Sequence, residues 1–233
     1  MARKSLVSVV ENGLLERIVD GVYAIGASLP SEAELATDFD VSRLTVREAM
    51  RSLSTQGVIE VVSGVGSSVR PPERWASLDA LLRYRSVHGD GDVAVQLVAV
   101  RRMFEAEAAA LAAARITDAD LEALAACIDA MRAASDAGDV DAFVAGDLRF
   151  HDLIMRRSDN VFLATLFAPL TRVLADRRAE TSRVPQIQRN ALVEHERVLD
   201  ALRARDAVAA RAAMEGHMQQ TLDDLRAYVL NDR

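Results

Sequence analysis

The stretch from Leu29 to Arg51, LPSEAELATDFDVSRLTVREAMR, constrains the fold more than any other part of the chain. Ser31 and Glu34 have the spacing of a capping box, in which each side chain bonds the other residue's backbone N–H, so a helix is predicted to begin there. The acidic run DFD indicates a turn, and Ser42 follows where it would cap a new helix. The stretch therefore predicts two short helices joined by a tight turn.

The second of these helices carries polar and cationic groups at its N-terminal end. Its apolar residues have core spacing and are predicted to be buried: Leu44, Val46, Ala49, Met50 and Leu53. Arg43 and Arg47 lie four residues apart, hence on one helix face, and the guanidinium fork of Arg43 matches a guanine edge. A helix of this kind enters the DNA major groove in helix–turn–helix proteins. The expected DNA-contacting side chains are Ser42, Arg43, Thr45 and Arg47, and the pattern leaves open which arginine contacts a base.

A β-hairpin is predicted directly after this helix. Gly57 is placed to end the helix, and the β-branched run Val58 to Val62 predicts a strand whose partner follows a glycine-rich turn. Gly64 in that turn would let the backbone approach a phosphate or lie in a minor groove without a side chain in the way. Because helical spacing also runs from Ser5 to Val22, residues 1–70 are predicted to form a winged helix–turn–helix.

The rest of the chain is predicted to be helical. Pro71-Pro72 predicts a linker over residues 71–74. Helical periodicity then continues through residues 75–233 without a strand signal, which indicates an all-helical bundle of six or seven helices. The aromatic content of 4% and the many alanines favour closely packed helices. The expected fold class is therefore mainly α, with a small wing.

Composition limits the partners and the compartment. The single cysteine, Cys127, excludes an intramolecular disulfide and suits a reducing cytoplasm, which is the expected location. No apolar run approaches the roughly 18 residues that span a bilayer, so no membrane partner is expected. The net charge of −7 means that DNA binding must depend on a local cationic patch.

Three of the four histidines fall within the predicted bundle. Asp147 lies four residues before His151, so the two side chains share a helix face. Imidazoles with one carboxylate suit Zn²⁺, Ni²⁺, Mn²⁺ or Fe²⁺. Spacing alone also permits a salt bridge between Asp147 and His151, with His195 as a surface histidine and His217 as an ordinary residue of a helix face.

Arg101 and Arg102 lie on a helix that otherwise has the composition of a buried one. An arginine on an inward face is unfavourable unless it meets an anion. Two interpretations follow. Either one arginine pairs with an internal acid such as Glu105 while the other is solvated, or the arginines clamp the carboxylate of a small organic acid.

Taken together, these segments resemble the GntR family of bacterial transcription regulators, FadR subfamily, with an FCD-type effector domain. The resemblance covers essentially the whole chain and rests on LPSEAELA, VSRLTVREAMRSLSTQGVIEVVSGVGSSV, VRRMFEAEAAALAA, GDLRFHDLI, EHERVLDAL and the late His217. It implies a homodimer on a pseudo-palindromic DNA operator, most often acting as a repressor. It also implies that residues 75–233 bind a metabolite, commonly an organic or sugar acid, and usually a metal.

The resemblance also assigns residues. The DNA contacts of the family fall on Ser42, Arg43, Arg47 and Gly64. The ligands of a divalent transition metal, zinc before nickel, manganese or iron, fall on Asp147, His151, His195 and His217. The effector carboxylate would face Arg101, with Arg102 as the alternative. The family usually has a DNA-contacting arginine where Ala33 stands, so we expect a different operator sequence or affinity but the same binding mode.

Two rival functions use some of the same features. A metal-dependent enzyme acting on small carboxylic acids could use the same four ligands, but catalytic zinc sites usually combine three protein ligands with a nearby general base. A metal-free acyl-CoA-sensing regulator of the same superfamily would lack the histidine set. The sequence therefore predicts a DNA-binding regulator without enzymatic activity.

Overall fold

A computed structural model describes residues 5–62, 64, 66–89 and 92–230. The chain divides between residues 89 and 90 into two compact units, each with its own core. The ends of the predicted domains, residues 1–4 and 231–233, lie outside the described residues, as do residues 63 and 65 of the predicted wing turn and residues 90 and 91 of the loop before the long helix.

The N-terminal unit is the predicted winged helix–turn–helix. Three helices, α1 (Leu6–Val19), α2 (Glu32–Asp38) and α3 (Arg43–Thr55), precede the antiparallel strands β1 (Ile59–Val62) and β2 (Gly66–Val69). The caps follow the sequence pattern: the Ser31–Glu34 capping box is formed, and the Ser42 side chain accepts a hydrogen bond from the Thr45 backbone N–H. In the hairpin Ile59 faces Val69 and Val62 faces Gly66.

Helix α3 buries one side against α1 and α2. Val46 and Leu53 on this side are completely buried, and Met50 is nearly so. The prediction that Leu44 belongs to the core was wrong, because Leu44 is 64% exposed. Leu44 lies two residues before Val46, and with 3.6 residues per turn this separation is about half a turn. Leu44 therefore falls on the opposite side of the helix from Val46.

Gly57 makes the sharp junction between α3 and β1 possible. Its φ angle of +75° lies in the left-handed region, which glycine adopts readily and residues with a Cβ atom rarely adopt. A Cβ atom built on Gly57 would lie 2.6 Å from the carbonyl oxygen of Arg74. The backbone after the wing therefore passes too close to this residue for any other amino acid to fit without a shift.

Helix α4 (Leu78–His88), which follows a short 3₁₀ turn over Pro72–Arg74, belongs to the N-terminal unit. Trp75 and Ala80 join the core of that unit, and the Trp75 indole N–H donates to the Arg70 carbonyl oxygen at 2.9 Å. The expected boundary placed residues from 75 onwards with the effector domain. The structure differs because the apolar side of this segment is buried against the winged helix.

The second unit is an all-helical bundle of six described helices: α5 (Asp92–Ala113), α6 (Asp118–Ala137), α7 (Val140–Arg157), α8 (Val161–Thr181), α9 (Pro185–Arg203) and α10 (Ala207–Leu225). Helix α10 lies against α5 and α9, and α7 lies against α5, α6 and α8. Fully buried alanines such as Ala108 and Ala112 let α5 approach its neighbours closely. Among the described residues, no helix is long and apolar enough to cross a membrane.

Candidate metal centre and nucleic-acid interface

The N-terminal end of α3 presents most of the predicted DNA-contacting side chains to solvent. Ser42, Arg43 and Arg47 are exposed, and Thr45 is half-buried. The Ser42 hydroxyl caps the helix and lies 2.9 Å from the Thr45 hydroxyl, so each of these hydroxyls already has a partner within the protein. The two arginines therefore provide the positive charge of this surface.

Glu32 is a residue of this surface that the sequence interpretation missed. Its carboxylate pairs with the Arg47 guanidinium through two atoms, at 3.0 Å from Nε to Oε1 and 2.7 Å from Nη2 to Oε2. Hydrogen bonds from Arg47 lower the pKa of Glu32, although burial acts slightly against them. Glu32 and Arg47 are fifteen residues apart and lie on different helices, so no helical spacing in the sequence predicts this pair.

The wing and the first turn of α2 complete this surface. Gly64 is exposed with a φ angle of +77°, and nothing lies within 4 Å of the position of a Cβ atom. Ala33 is exposed beside Glu32 and carries no charge where the resembling family has an arginine. The net charge of this end of α2 is therefore more negative than the resemblance alone implies.

In the helical bundle, four predicted metal-ligating residues converge from three helices. Asp147 and His151 come from α7, His195 from α9 and His217 from α10, and all four are buried. One ligand atom from each lies within 4.8 Å of those of the others. The His151 Nε2 atom is 3.3 Å from the Nε2 atoms of both His195 and His217. Asp147 Oδ1 lies 3.1 Å from His195 Nε2 and 3.6 Å from His151 Nε2.

Two of the imidazole rings meet an acceptor on the side that faces away from the cluster. His195 Nδ1 lies 2.6 Å from the Ala191 carbonyl oxygen, which can only accept a hydrogen bond. His151 Nδ1 contacts the Glu105 carboxylate. In neutral His195 the proton therefore belongs on Nδ1, and the Nε2 lone pair points toward the centre of the cluster. The Glu105 carboxylate beside His151 Nδ1 favours the same orientation of that ring. Burial lowers the pKa of His195 and, more strongly, that of His217, which favours the neutral rings.

Two buried ion pairs flank the cluster. Arg101 Nε donates to Glu105 Oε1 at 2.7 Å, and Arg178 donates to Asp147 Oδ2. Burial alone would raise the pKa of both carboxyl groups, but Arg101 holds the pKa of Glu105 below its usual range and Arg178 does the same for Asp147. Burial, helped by the charge of Arg101, lowers the pKa of Arg178 to about 10, so its guanidinium stays charged at neutral pH.

The structure separates the two arginines that the sequence left as alternatives. Arg101 is 4% exposed and pairs with Glu105, whereas Arg102 points outward and is exposed. Glu105 was considered in the sequence only as a partner for an arginine, and its contact with His151 was missed. Arg178 was missed entirely, since no spacing relates α8 to the histidines.

Comparisons with known proteins agree with this architecture. Residues 6–69 match the family of bacterial regulatory proteins called the gntR family, and residues 96–220 match the FCD domain. The galactonate operon transcriptional repressor of Escherichia coli is 32% identical over 205 residues, covering 85% of this chain and 87% of its own. The putative L-lactate dehydrogenase operon regulatory protein of the same species is 29% identical over 224 residues, which cover 90% of this chain and 85% of that protein.

A solved structure extends the likeness to the fold. The GntR protein of Streptococcus agalactiae is 31% identical, with a TM-score of 0.51 that covers 93% of this chain and 99% of that chain. The family and these relatives are transcription regulators and not enzymes. The chain therefore belongs to the GntR family of DNA-binding transcription regulators, in the FadR-like subfamily whose C-terminal domain is an FCD domain.

Proposed function

We propose that this regulator holds a divalent transition metal on Asp147, His151, His195 and His217. The single observation that carries the proposal is the convergence of four ligand atoms: the Nε2 atoms of His195 and His217 lie 3.3 Å from that of His151, and Asp147 Oδ1 lies 3.1 Å from His195 Nε2. Lone pairs about 3.3 Å apart repel one another unless a cation lies among them. The separations of 3.1–3.6 Å between these atoms are close to those of ligand atoms that share one zinc ion at about 2.0–2.1 Å. Zinc can expand from four to five ligands, which would leave room for one more oxygen.

The surroundings of the four residues also fit a metal. Metal-bound histidines usually donate their other ring N–H to a carboxylate or a backbone carbonyl, which fixes the ring and makes the ligand more basic. His151 has Glu105 in that role, and His195 has the Ala191 carbonyl oxygen. The donor types favour zinc, and nickel, manganese and iron are compatible with them.

The charges around the cluster favour an acidic effector. Arg101 and Arg178 balance Glu105 and Asp147, so the four buried groups sum to zero. A divalent metal would add two positive charges in a buried site, and an incoming carboxylate would compensate one of them. When bound, the metal would supply a Lewis-acidic partner for the carboxylate oxygens of such an acid, while Arg101 and Arg178 would orient it by hydrogen bonds.

The resulting function is metabolite-controlled transcription, with repression as the expected sign because the E. coli galactonate relative carries that name. A homodimer would place two winged helices on the two halves of a DNA operator, with Ser42, Arg43, Thr45, Arg47 and Gly64 facing the DNA. A small organic or sugar acid in the bundle would shift the equilibrium between binding and release of DNA. Such a protein acts in the cytoplasm, where the bacterial chromosome lies.

Metal analysis of purified protein tests the cluster. We expect about one metal ion per chain in the wild type and a large loss in the His151→Ala, His195→Ala double variant. His88→Ala is the matched control, because His88 lies in the N-terminal unit and contacts the Val19 carbonyl oxygen. Undiminished metal in a folded double variant would refute the assignment.

A mobility-shift assay tests the control of DNA binding. We expect the metal-loaded dimer, identified by light scattering, to bind a fragment of its own promoter and to change affinity when a small carboxylic acid is added. The Arg101→Lys variant keeps the charge but loses the planar fork, so it should bind DNA as before and respond only to higher acid concentrations. A promoter affinity that no acid changes would refute the regulatory part.

A further inference from the structure

A cavity lies beside the histidine cluster between α5, α8, α9 and α10. Its volume is about 70 Å³. One water molecule needs about 10–15 Å³ on this measure, so the cavity holds roughly five to seven non-hydrogen atoms. A carboxylic acid of three to five carbon atoms has that size, whereas a six-carbon sugar acid is about twice as large.

Most of the cavity wall is hydrocarbon. Ala94, Leu97 and Val98 from α5 form one side, and Ile187 from α9 and Leu225 from α10 contribute to the rest. Such a wall stabilises methyl and methylene groups of a ligand. Within the part of the wall that the structure describes, this hydrocarbon offers no hydrogen-bond partners to the row of hydroxyl groups along a sugar acid, and each hydroxyl would lose its hydrogen bonds to water.

The polar side chains in the wall are already engaged within the protein. The Thr221 hydroxyl donates to the His217 carbonyl oxygen at 2.9 Å, and the Thr181 hydroxyl donates to the Arg178 carbonyl oxygen at 3.2 Å. Asp224 Oδ1 accepts hydrogen bonds from two side-chain amides, at 2.7 Å and 3.0 Å. The described polar side chains of the wall are therefore not free to match the several hydroxyl groups of a sugar acid.

The cationic end of the cavity is the end nearest the cluster. Arg101 and Arg178 both line it, and both are buried. A guanidinium has five N–H donors, and within the described residues the side-chain pairs with Glu105 and Asp147 use one donor of each. Donors therefore remain for the two oxygens of a carboxylate at this end.

We propose that the effector is a short monocarboxylic acid of three to five carbon atoms with at most one hydroxyl group, and not a polyhydroxylated sugar acid. The carboxylate faces Arg101 and Arg178, and the hydrocarbon chain lies against Leu97, Val98 and Ile187. This inference rests on the proposed function, since it assumes that the cavity is the effector site.

Calorimetric titration of the full-length, zinc-loaded protein tests the inference, with lactate, 2-hydroxybutyrate and butyrate compared with galactonate and gluconate. We expect the short acids to bind at least about tenfold more tightly than either sugar acid, since each unmatched buried hydroxyl weakens binding severalfold. Sugar acids that bind as tightly would overturn the inference and leave the proposed function standing. If neither class binds while the protein still shifts promoter DNA, both the inference and the effector part of the proposed function fail.

An Ile187→Gln variant gives a second measurement. Ile187 is half-buried on the cavity wall, so the polar side chain can be accommodated without unfolding the bundle. We expect the dissociation constant of 2-hydroxybutyrate to rise about tenfold or more while that of zinc stays unchanged. Ile187→Leu, which keeps the hydrocarbon, should bind the acid almost as the wild type does. Equal affinity of the Gln and Leu variants for the acid would count against this wall as the binding surface.

Discussion

The Glu32 carboxylate holds the Arg47 guanidinium in a two-pronged ion pair across the helix–turn–helix, with Nη2 and Oε2 2.7 Å apart. Glu32 lies in the first turn of α2, and Arg47 lies one turn into the reading helix α3. Both side chains are accessible to solvent, so the pair does little for stability. Its consequence would concern DNA: if Arg47 contacts the operator as proposed, Glu32 would both orient Arg47 and place a negative charge beside the phosphates.

Replacing Glu32 with Gln should raise affinity for random DNA and lower the preference for the operator. The substitution removes a repulsive charge next to the phosphates, and it frees Arg47 to make less specific contacts. Fluorescence anisotropy with operator and random duplexes at several salt concentrations measures both effects. Glu48→Gln on α3 is the control, since it changes the charge equally without releasing Arg47. If both variants change the operator preference equally, the ion pair has no special role.

Arg43→Ala should weaken operator binding by about 1–3 kcal/mol if Arg43 contacts a base, with a much smaller effect on random DNA. Arg43 is exposed at the first position of α3, where side chains of reading helices reach base edges. Arg51→Ala provides a comparison two turns further along the same helix. A loss for Arg43→Ala that is equal on operator and random DNA would identify a phosphate contact instead.

Truncation of Met50 on α3 should affect stability, whereas truncation of Leu44 on the same helix should affect DNA recognition. Met50→Ala should lower the free energy of unfolding by about 2–5 kcal/mol, because Met50 is 4% exposed in the core. Leu44→Ala should change it by less than about 0.5 kcal/mol, since that residue faces solvent. It should instead change which bases the operator prefers, because an exposed aliphatic group on a reading helix can contact a thymine methyl. Urea unfolding and selection from a random DNA library measure the two effects.

The N-terminal unit could be predicted because its signals are local. Ser31, Glu34 and Ser42 define helix starts through bonds to residues three positions away, and Gly57 is required by a single backbone angle. Leu44 shows the limit of such reasoning, since an apolar residue on a surface helix looks like core when only composition is considered. The position of α4 depended on which surface its apolar side meets, which no local pattern specifies.

The candidate metal centre was predictable only in part. Asp147 and His151 share a helix face through a spacing of four, whereas His195 and His217 were assigned from the resemblance to the family. Glu105 and Arg178 reach the site through tertiary packing of α5 and α8. Residues that orient ligands have no fixed separation along the chain, so a single sequence does not reveal them.

Removing the metal should destabilise the C-terminal unit. A ligand at one hundred times its dissociation constant adds about 2.7 kcal/mol to the stability of the folded state. For a unit of this size, that corresponds to a fall in Tm of roughly 5–11 °C when a chelator removes the metal. Differential scanning calorimetry before and after chelation, with zinc added back, measures it. A Tm that does not respond to chelation or to added zinc would contradict the proposed site.

Glu105→Gln should weaken metal binding although Glu105 is not one of the four ligands. The carboxylate contacts His151 Nδ1 and fixes its ring, and such outer carboxylates usually contribute about 10–100-fold to metal affinity. The substitution also leaves the buried Arg101 without its anion, so the folded state should lose several kcal/mol, about 3–5 for a broken buried pair. Competition with a chromophoric chelator measures the metal affinity, and urea unfolding of the metal-free protein measures the second loss separately.

Glu107→Gln is the matched control for this prediction. Glu107 lies two residues further along α5, but its carboxylate pairs with Arg211 at 2.6 Å on an accessible surface. The control should therefore keep the metal affinity and the stability of the wild type, because exposed pairs contribute little. If Glu105→Gln and Glu107→Gln bind zinc equally well, Glu105 does not orient His151. A loss of metal affinity confined to Glu105→Gln would instead tie the buried ion pair on α5 directly to the histidine cluster.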